Sequence, residues 1–263
     1  MAVEGEETTI RGISRTILEM KEVLYDERLG TRDSDIAYYV FRGVAAIQDL
    51  PLFGRLGLRH DLTILPPGNW GGEYPKTFGH VHQREPTSPS EAFQVVRGKA
   101  HFLIQSIVKK GEVEIVEANE EEKLVIPLDC LHLIINPTDQ LLVTSNLVRD
   151  TTVPNYEYAR RMRGAACYEL QGRRFVSNTN YPEKYHVTFS DVNSRRSSEE
   201  VFLESRQSIY DLLMEKPEIL SFLTRATLTS CGSRDDVSPQ SENQKELNLW
   251  SETHTRLPKK NPP

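Results

Sequence analysis

At 263 residues and a formal net charge of −6, the chain has room for one large domain or a domain with appendages, and it offers no general basis for binding nucleic acid or an anionic membrane. A hydrophobic content of 38% is low for a chain packed throughout, which predicts a compact core plus a polar tail. Three cysteines, Cys130, Cys167 and Cys231, are too few and too scattered for a disulfide framework, and none pairs as Cys-x-x-Cys.

Met1-Ala2-Val3-Glu4-Gly5-Glu6-Glu7 is acidic where a signal peptide would be basic, and no apolar run approaches the ~20 residues of a membrane span. A soluble cytoplasmic protein with reduced thiols is the expectation. Residues 10–29 place Ile13, Ile17, Met20 and Leu24 at three- and four-residue steps, which predicts a short amphipathic helix or an irregular wrap. Residues 1–34 are therefore set apart as an N-terminal wrap.

Strands are expected from Asp35 to Val44, where Tyr38 and Tyr39 point to opposite faces, and from Arg59 to Leu65, which the Pro66-Pro67-Gly68-Asn69 turn ends. Further strands are expected at Tyr74–His82, Glu91–Val96, Ala100–Val108, Glu112–Glu117, Leu124–Pro127, Leu131–Ile135 and Leu141–Leu147, separated by glycine, proline or charged turns. A run of short antiparallel strands without intervening helices predicts a mainly β fold, an eight-stranded jelly-roll barrel over 35–189. Past Asn155 lies an aromatic and basic segment, then a strand pattern over Cys167–Val176 with a turn at Gly172. A helical extension is expected over 190–229, with Val201, Ile209, Leu212, Leu213, Ile219, Leu220 and Leu223 apolar and Pro217 dividing two helices. Residues 230–263 are polar enough to predict a disordered tail.

The stretch from Gly79 to Asn136 carries the chemistry. His80 and His82 are one residue apart, so on an extended strand both imidazoles leave the same face and can bind one ion. Glu91 and His132 complete a set of four candidate ligands, whose mix of imidazole and carboxylate suits a borderline divalent ion. Cys130 lies two residues before His132 and reads as a core thiol, while His60, His101, His186 and His254 have no partner spacing.

The string Gly79-His80-Val81-His82, followed by Glu91 and then Gly98, resembles the first cupin motif, and Pro127 to Asn136 resembles the second. Asp129 stands where the second motif usually has glycine. Within the cupins the chain resembles the archaeal-type glucose-6-phosphate isomerases, through Leu24-Tyr25-Asp26, Ala37-Tyr38-Tyr39, Leu62 to Gly68 and Lys76-Thr77-Phe78-Gly79-His80. This likeness covers roughly the first 150 residues.

The resemblance implies that His80, His82, Glu91 and His132 bind a divalent metal, iron first, with nickel, manganese or zinc as alternatives. It implies that Thr63, Thr77 and Gly79 hold a sugar phosphate, with Lys76 adding charge and Tyr38 lining the sugar pocket. It further implies interconversion of glucose 6-phosphate and fructose 6-phosphate, Glu91 as the proton-transfer group, and a homodimer. Two departures stand out: Phe93 replaces a tyrosine two residues after the ligand carboxylate, and the gap from His82 to Glu91, with Pro86 and Pro89, is long. Either Tyr156 or Tyr158 takes the place of a pocket residue after the last barrel strand. Another sugar-phosphate isomerase, a dioxygenase and a non-catalytic sugar-binding cupin remain open as alternatives.

Overall fold

The computed structural model describes residues 12–28, 35–82, 90–127, 129–194, 202 and 204–224. The tail over 230–263, Cys231, His254 and the segment carrying Pro86 and Pro89 lie outside them. Two largely antiparallel sheets make the barrel. The larger has the order β1-β2-β3-β10-β5-β8, from β1 (Gly12–Thr16), β2 (Ile36–Arg42), β3 (Leu58–Leu65), β10 (Leu142–Arg149), β5 (Glu91–Arg97) and β8 (Lys123–Ile126). The smaller has the order β14-β7-β6-β9, from β14 (His186–Asp191), β7 (Glu112–Asn119), β6 (Lys99–Ser106) and β9 (Cys130–Ile135). Such non-sequential neighbours are those of a jelly roll, and each expected strand from residue 35 to 147 has its counterpart except Tyr74–His82, of which only the end is a regular strand.

That exception has a physical cause. Only β4 (Val81–His82) is regular there, and it pairs with β11 (Pro154–Asn155). Before it, the chain runs beside β9 through isolated bridges at Lys76–Ile135 and His80–His132, with one more residue on its own side than on β9. The extra residue is a bulge, and Gly79 carries it with φ +83°. A Cβ at Gly79 would also lie 3.3 Å from Leu133 Cδ2.

Chain geometry also differs from expectation at the start. Gly12–Thr16 form an edge strand on β2 rather than a helix, and the Phe41 ring packs where a side chain at residue 12 would sit, 2.6 Å from an ideal Cβ. Helical turns begin only at α1 (Ile17–Met20), capped by a reciprocal Thr16–Glu19 pair. Two short helices, α2 (Leu50–Leu56) and α3 (Glu157–Met162), were not anticipated, being too short to show a 3.6-residue period. The Gly172 turn joins β12 (Cys167–Leu170) to β13 (Arg174–Ser177), and β14 joins β7 in parallel, the one parallel pairing among the described strands.

The central strands β5, β6, β9 and β10 are covered on both faces, so they read as long buried runs rather than alternating ones. Residues 165–170 cover β6, where Gln105 Oε1 accepts the Ala166 N–H at 2.8 Å and His101 Nδ1 meets the Glu169 carboxylate at 2.8 Å. On the larger sheet, α4 (Ile209–Glu215) and the 3-10 turns Pro217–Leu223 bury Ile209, Leu212, Leu213, Leu220 and Leu223 against Ala92, Leu147, Leu58 and Phe53. Gln94 Oε1 accepts the Ile209 N–H at 2.9 Å, and Lys123 Nζ donates to Ser205 O at 2.7 Å. The C-terminal segment thus seals the back of the strands that carry the site on their inner face.

His60 of β3 is buried with Nδ1 2.7 Å from Val44 O and Nε2 2.7 Å from Ser145 Oγ. Burial lowers its pKa below the ordinary 6.5, more than the Val44 bond raises it. The unfolded chain therefore binds a proton near pH 6.5 that the folded chain refuses, so this part of the stability is present above pH 6.5 and is lost as pH falls below it. Denaturant midpoints at about pH 7.5 and about pH 5.5 are expected to differ less in His60→Gln than in the wild type; an equal difference would contradict this account.

Candidate metal centre and pocket

His80 and His132 face each other across one antiparallel bridge, the two backbone N–H groups donating reciprocally at 3.1 and 3.0 Å. Their rings come within 4.3 Å between centroids, and the His82 ring lies 5.3 and 5.2 Å from them. Glu91, the first residue of β5, brings Oε2 to 3.0 Å from His82 Nε2 and 3.1 Å from His132 Nε2. One ligand atom from each of the four residues falls within 4.8 Å of all the others.

These atoms are close without being hydrogen-bonded: Glu91 Oε2 and His132 Nε2 are buried and lack a hydrogen-bond partner among the described residues. Three nitrogens and a carboxylate oxygen converging off hydrogen-bond geometry fit a shared divalent cation, whose donors stand ~3–4 Å apart at ~2.0–2.2 Å from the ion. Protonation states agree. Burial, then His132 and His82, hold the His80 imidazole well below its ordinary pKa, which keeps it a neutral ligand. Burial pushes the Glu91 carboxyl up, but the His132 and His82 imidazoles outweigh it and leave the group well below its usual range, ionised.

Asn146 of β10 fixes the carboxylate from the other side, Nδ2 donating to Glu91 Oε1 at 2.6 Å. Such outer partners orient a ligand and tune its affinity. Asn146→Ala is expected to weaken metal binding by ~10–100-fold without unfolding the protein, measured by competition with a chromogenic chelator. Unchanged affinity would show that Glu91 needs no such support.

The four residues sit on one side of a pocket with about 650 Å³ of empty space, open mouth included. Tyr38, Thr63, Thr77 and Gly79 line it with them. Thr77 has a structural duty as well, since its Oγ1 accepts the Ile134 N–H at 2.9 Å beside the Gly79 bulge. The Tyr38 hydroxyl, whose pKa burial pushes up to about 12, accepts the Phe78 N–H at 3.5 Å.

Lys76 is not brought to the pocket. Its Nζ lies 2.5 Å from Glu73 Oε1, donates to Val23 O at 2.7 Å and sits 4.7 Å from the Tyr168 ring centroid. Strand alternation explains the correction: Lys76 precedes Thr77 on an extended chain, so the two side chains leave opposite faces. Tyr156, not Tyr158, lines the pocket; it meets the Phe78 ring edge-on at 5.5 Å while Tyr158 packs toward Tyr181. Phe93 also lines it, its ring 6.2 Å from His132 and 5.3 Å from Phe102 of the facing sheet. Asp129 has φ +54°, the left-handed conformation for which the motif uses glycine and which Asp tolerates better than most residues. Cys130 and Cys167 are not in a disulfide among the described residues, and neither lines the pocket; burial pushes the Cys167 thiol up to about 12.

Arg42, Arg59, Asp61 and Asn146 line the pocket and were not singled out from the sequence. The signal was available in the two-residue period: Tyr38, Val40 and Arg42 share one face of β2, and Arg59, Asp61 and Thr63 share one face of β3.

A jelly-roll barrel holding three histidines and a glutamate from its two motif segments defines a cupin. A family model described as glucose-6-phosphate isomerase matches residues 14–186, roughly two-thirds of the chain. The chain belongs to this family, in its cupin form. No curated protein matches it. Among solved structures, an oxalate oxidase is similar at 14% identity over 54% of this chain and 55% of its own, with TM-score 0.34. A mutant of Bacillus subtilis oxalate decarboxylase is similar at 18% identity over 43% of this chain and 25% of its own, with TM-score 0.32. The chain thus spans about half of the one and a quarter of the other. No helix of the described residues is long and apolar enough to cross a membrane.

Proposed function

We propose that the protein is a metal-dependent aldose–ketose isomerase that interconverts glucose 6-phosphate and fructose 6-phosphate. The observation that carries this reading is the convergence of His80, His82, Glu91 and His132 in a pocket that Tyr38, Thr63, Thr77 and Gly79 also line. Membership of the family supports it.

When bound, a divalent ion, iron first among those the donor set suits, supplies Lewis-acid polarisation at the C1 and C2 oxygens of the open-chain sugar. The residues do the rest. In the aldose-to-ketose direction Glu91 takes the proton from C2 and returns it at C1 while the hydroxyl proton passes from O2 to O1, so the C2–H and O2–H bonds break, the C1–H and O1–H bonds form and the carbonyl moves from C1 to C2. Its carboxylate is ionised at neutral pH, and Asn146 holds it in place. Thr63, Thr77 and the backbone at Gly79 contribute polar groups to the sugar phosphate, and Phe93 and Tyr156 supply ring faces that exclude water. The protein is taken to work as a homodimer in the cytoplasm, as a step of glycolysis and gluconeogenesis.

The test is conversion of fructose 6-phosphate by the metal-reconstituted protein, read as glucose 6-phosphate formed, with oxygen uptake followed in parallel. Turnover without oxygen uptake is the expected result. Substrate-dependent oxygen uptake would replace it with a dioxygenase, and saturable sugar-phosphate binding without turnover in any metal form would replace it with a sugar-binding cupin.

A further inference from the structure

Arg42 ends β2 on the pocket side, and its position is unlike that of the other lining guanidinium. Arg59 is committed: its Nε donates to both Asp61 oxygens at 2.9 and 3.0 Å, and Nη1 donates to Asp150 O at 3.1 Å. Asp61 is committed too, since Oδ1 also accepts the Gly43 N–H at 3.0 Å. The Arg42 side chain has no hydrogen bond or ion pair among the described residues, and its Nε is buried without a partner. A buried guanidinium nitrogen without an acceptor costs free energy of desolvation unless a ligand supplies one.

Its place in the sheet gives the ligand a direction. Cross-strand register puts Arg42 opposite Asp61, Asp61 opposite Asn146, and Asn146 opposite Phe93. At ~4.8 Å per strand the Cα atoms of Arg42 and Phe93 are about 14 Å apart. Glu91 lies two residues from Phe93 on the same face, so the cation and the carboxylate stand at opposite sides of one pocket. The Arg42 charge is nonetheless felt at the rings of His80 and Tyr156, where it disfavours a protonated imidazole and favours a phenolate.

We propose that Arg42 is the anion anchor of the pocket, a guanidinium that takes the phosphate monoester of the sugar at the side away from the metal donors. This rests on the isomerase reading and sharpens it. The planar fork of arginine matches two phosphate oxygens at once, which a lysine point charge does not, and no lysine among the described residues lines the pocket. It also supplies the positive charge that Lys76, turned away into its pair with Glu73, does not.

The experiment is calorimetric binding of fructose 6-phosphate, fructose and inorganic phosphate to the full-length protein, in wild type, Arg42→Met, Arg42→Lys and the exposed control Arg97→Met. Arg42→Met is expected to lower fructose 6-phosphate affinity roughly 10–100-fold and to abolish phosphate binding, with fructose unaffected. Arg42→Lys is expected to recover part of the loss, and Arg97→Met to match the wild type. Should Arg42→Met not fold, Arg42→Gln keeps the stem and carries the same comparison. Wild-type affinity for both phosphates in the Arg42 variants overturns the anchor, as does an equal loss for fructose. The two readings fail separately: turnover with an unaltered KM in Arg42→Met overturns the anchor alone, whereas Arg42-dependent phosphate binding in a protein without turnover overturns the isomerase alone.

Discussion

Replacing Glu91 with alanine is expected to lower fructose 6-phosphate turnover by ~10²–10⁴-fold, the range that a positioned proton-transfer group contributes. The same change removes the one anionic donor of the cluster, so metal retention is expected to fall with it. The fold should survive, because Glu91 is in contact with imidazoles and Asn146 rather than with apolar packing. Glu91→Gln separates the two roles: it keeps shape and an oxygen donor yet cannot carry the proton, so turnover should stay low even where metal is restored by excess. A Gln variant with wild-type turnover would remove Glu91 from the chemistry and leave it a ligand alone.

Lys76→Met is expected to cost ~3–5 kcal/mol of stability, because it leaves the Glu73 carboxylate buried without its partner. The Lys76 side chain is 5% exposed and that of Glu73 is 1% exposed, so water does little to screen the loss. Tyr25 N–H would remain as a donor to Glu73 Oε2, at 2.8 Å, which is not enough to replace an ammonium. Urea unfolding should show the drop while KM for fructose 6-phosphate stays at the wild-type value. Retained stability with a raised KM would return Lys76 to the phosphate. Adding Glu73→Gln to Lys76→Met should recover much of the lost stability, since the orphaned charge is then gone.

The barrel was legible in the sequence because its strands alternate with strong turn signals: Pro66-Pro67-Gly68 after β3, Arg97-Gly98-Lys99 after β5 and Lys109-Lys110-Gly111 after β6. The metal cluster was legible because its spacing is local, His80 and His82 on one strand with Glu91 and His132 each opening or crossing another. Asp129 looked like a departure until its backbone was seen, and φ +54° shows it filling the glycine position in kind. Lys76 leaves the face opposite to Thr77 because the two are one residue apart on an extended chain, a parity that outweighs its charge in placing it.

What the sequence hid is relational. Arg42, Asp61 and Asn146 enter the pocket through a register that joins the successive strands β2 and β3 to β10, far along the chain. Tyr156 rather than Tyr158 is selected by β11, a two-residue strand whose pairing with β4 sets the direction of the residue that follows. Of the C-terminal apolar positions expected to be helical, Val201 lies outside the described residues and Ile209 to Leu223 are in helical turns, but nothing in their periodicity says that they lie on the outer face of β5 and β10. That placement makes the extension a backing for the strands of Glu91 and Asn146 rather than a wall of the pocket.

The account turns on one ion per chain enabling isomerisation in this pocket. The most direct measurement determines metal content and fructose 6-phosphate conversion on the same samples, stripped with chelator and then titrated with ferrous, nickel, manganese or zinc ions. Conversion should be absent in stripped protein, rise in proportion to bound metal and level off at one ion per chain, with no such rise in His132→Ala. Conversion that persists after complete removal of metal, or that never appears in any metal-loaded sample, would contradict it.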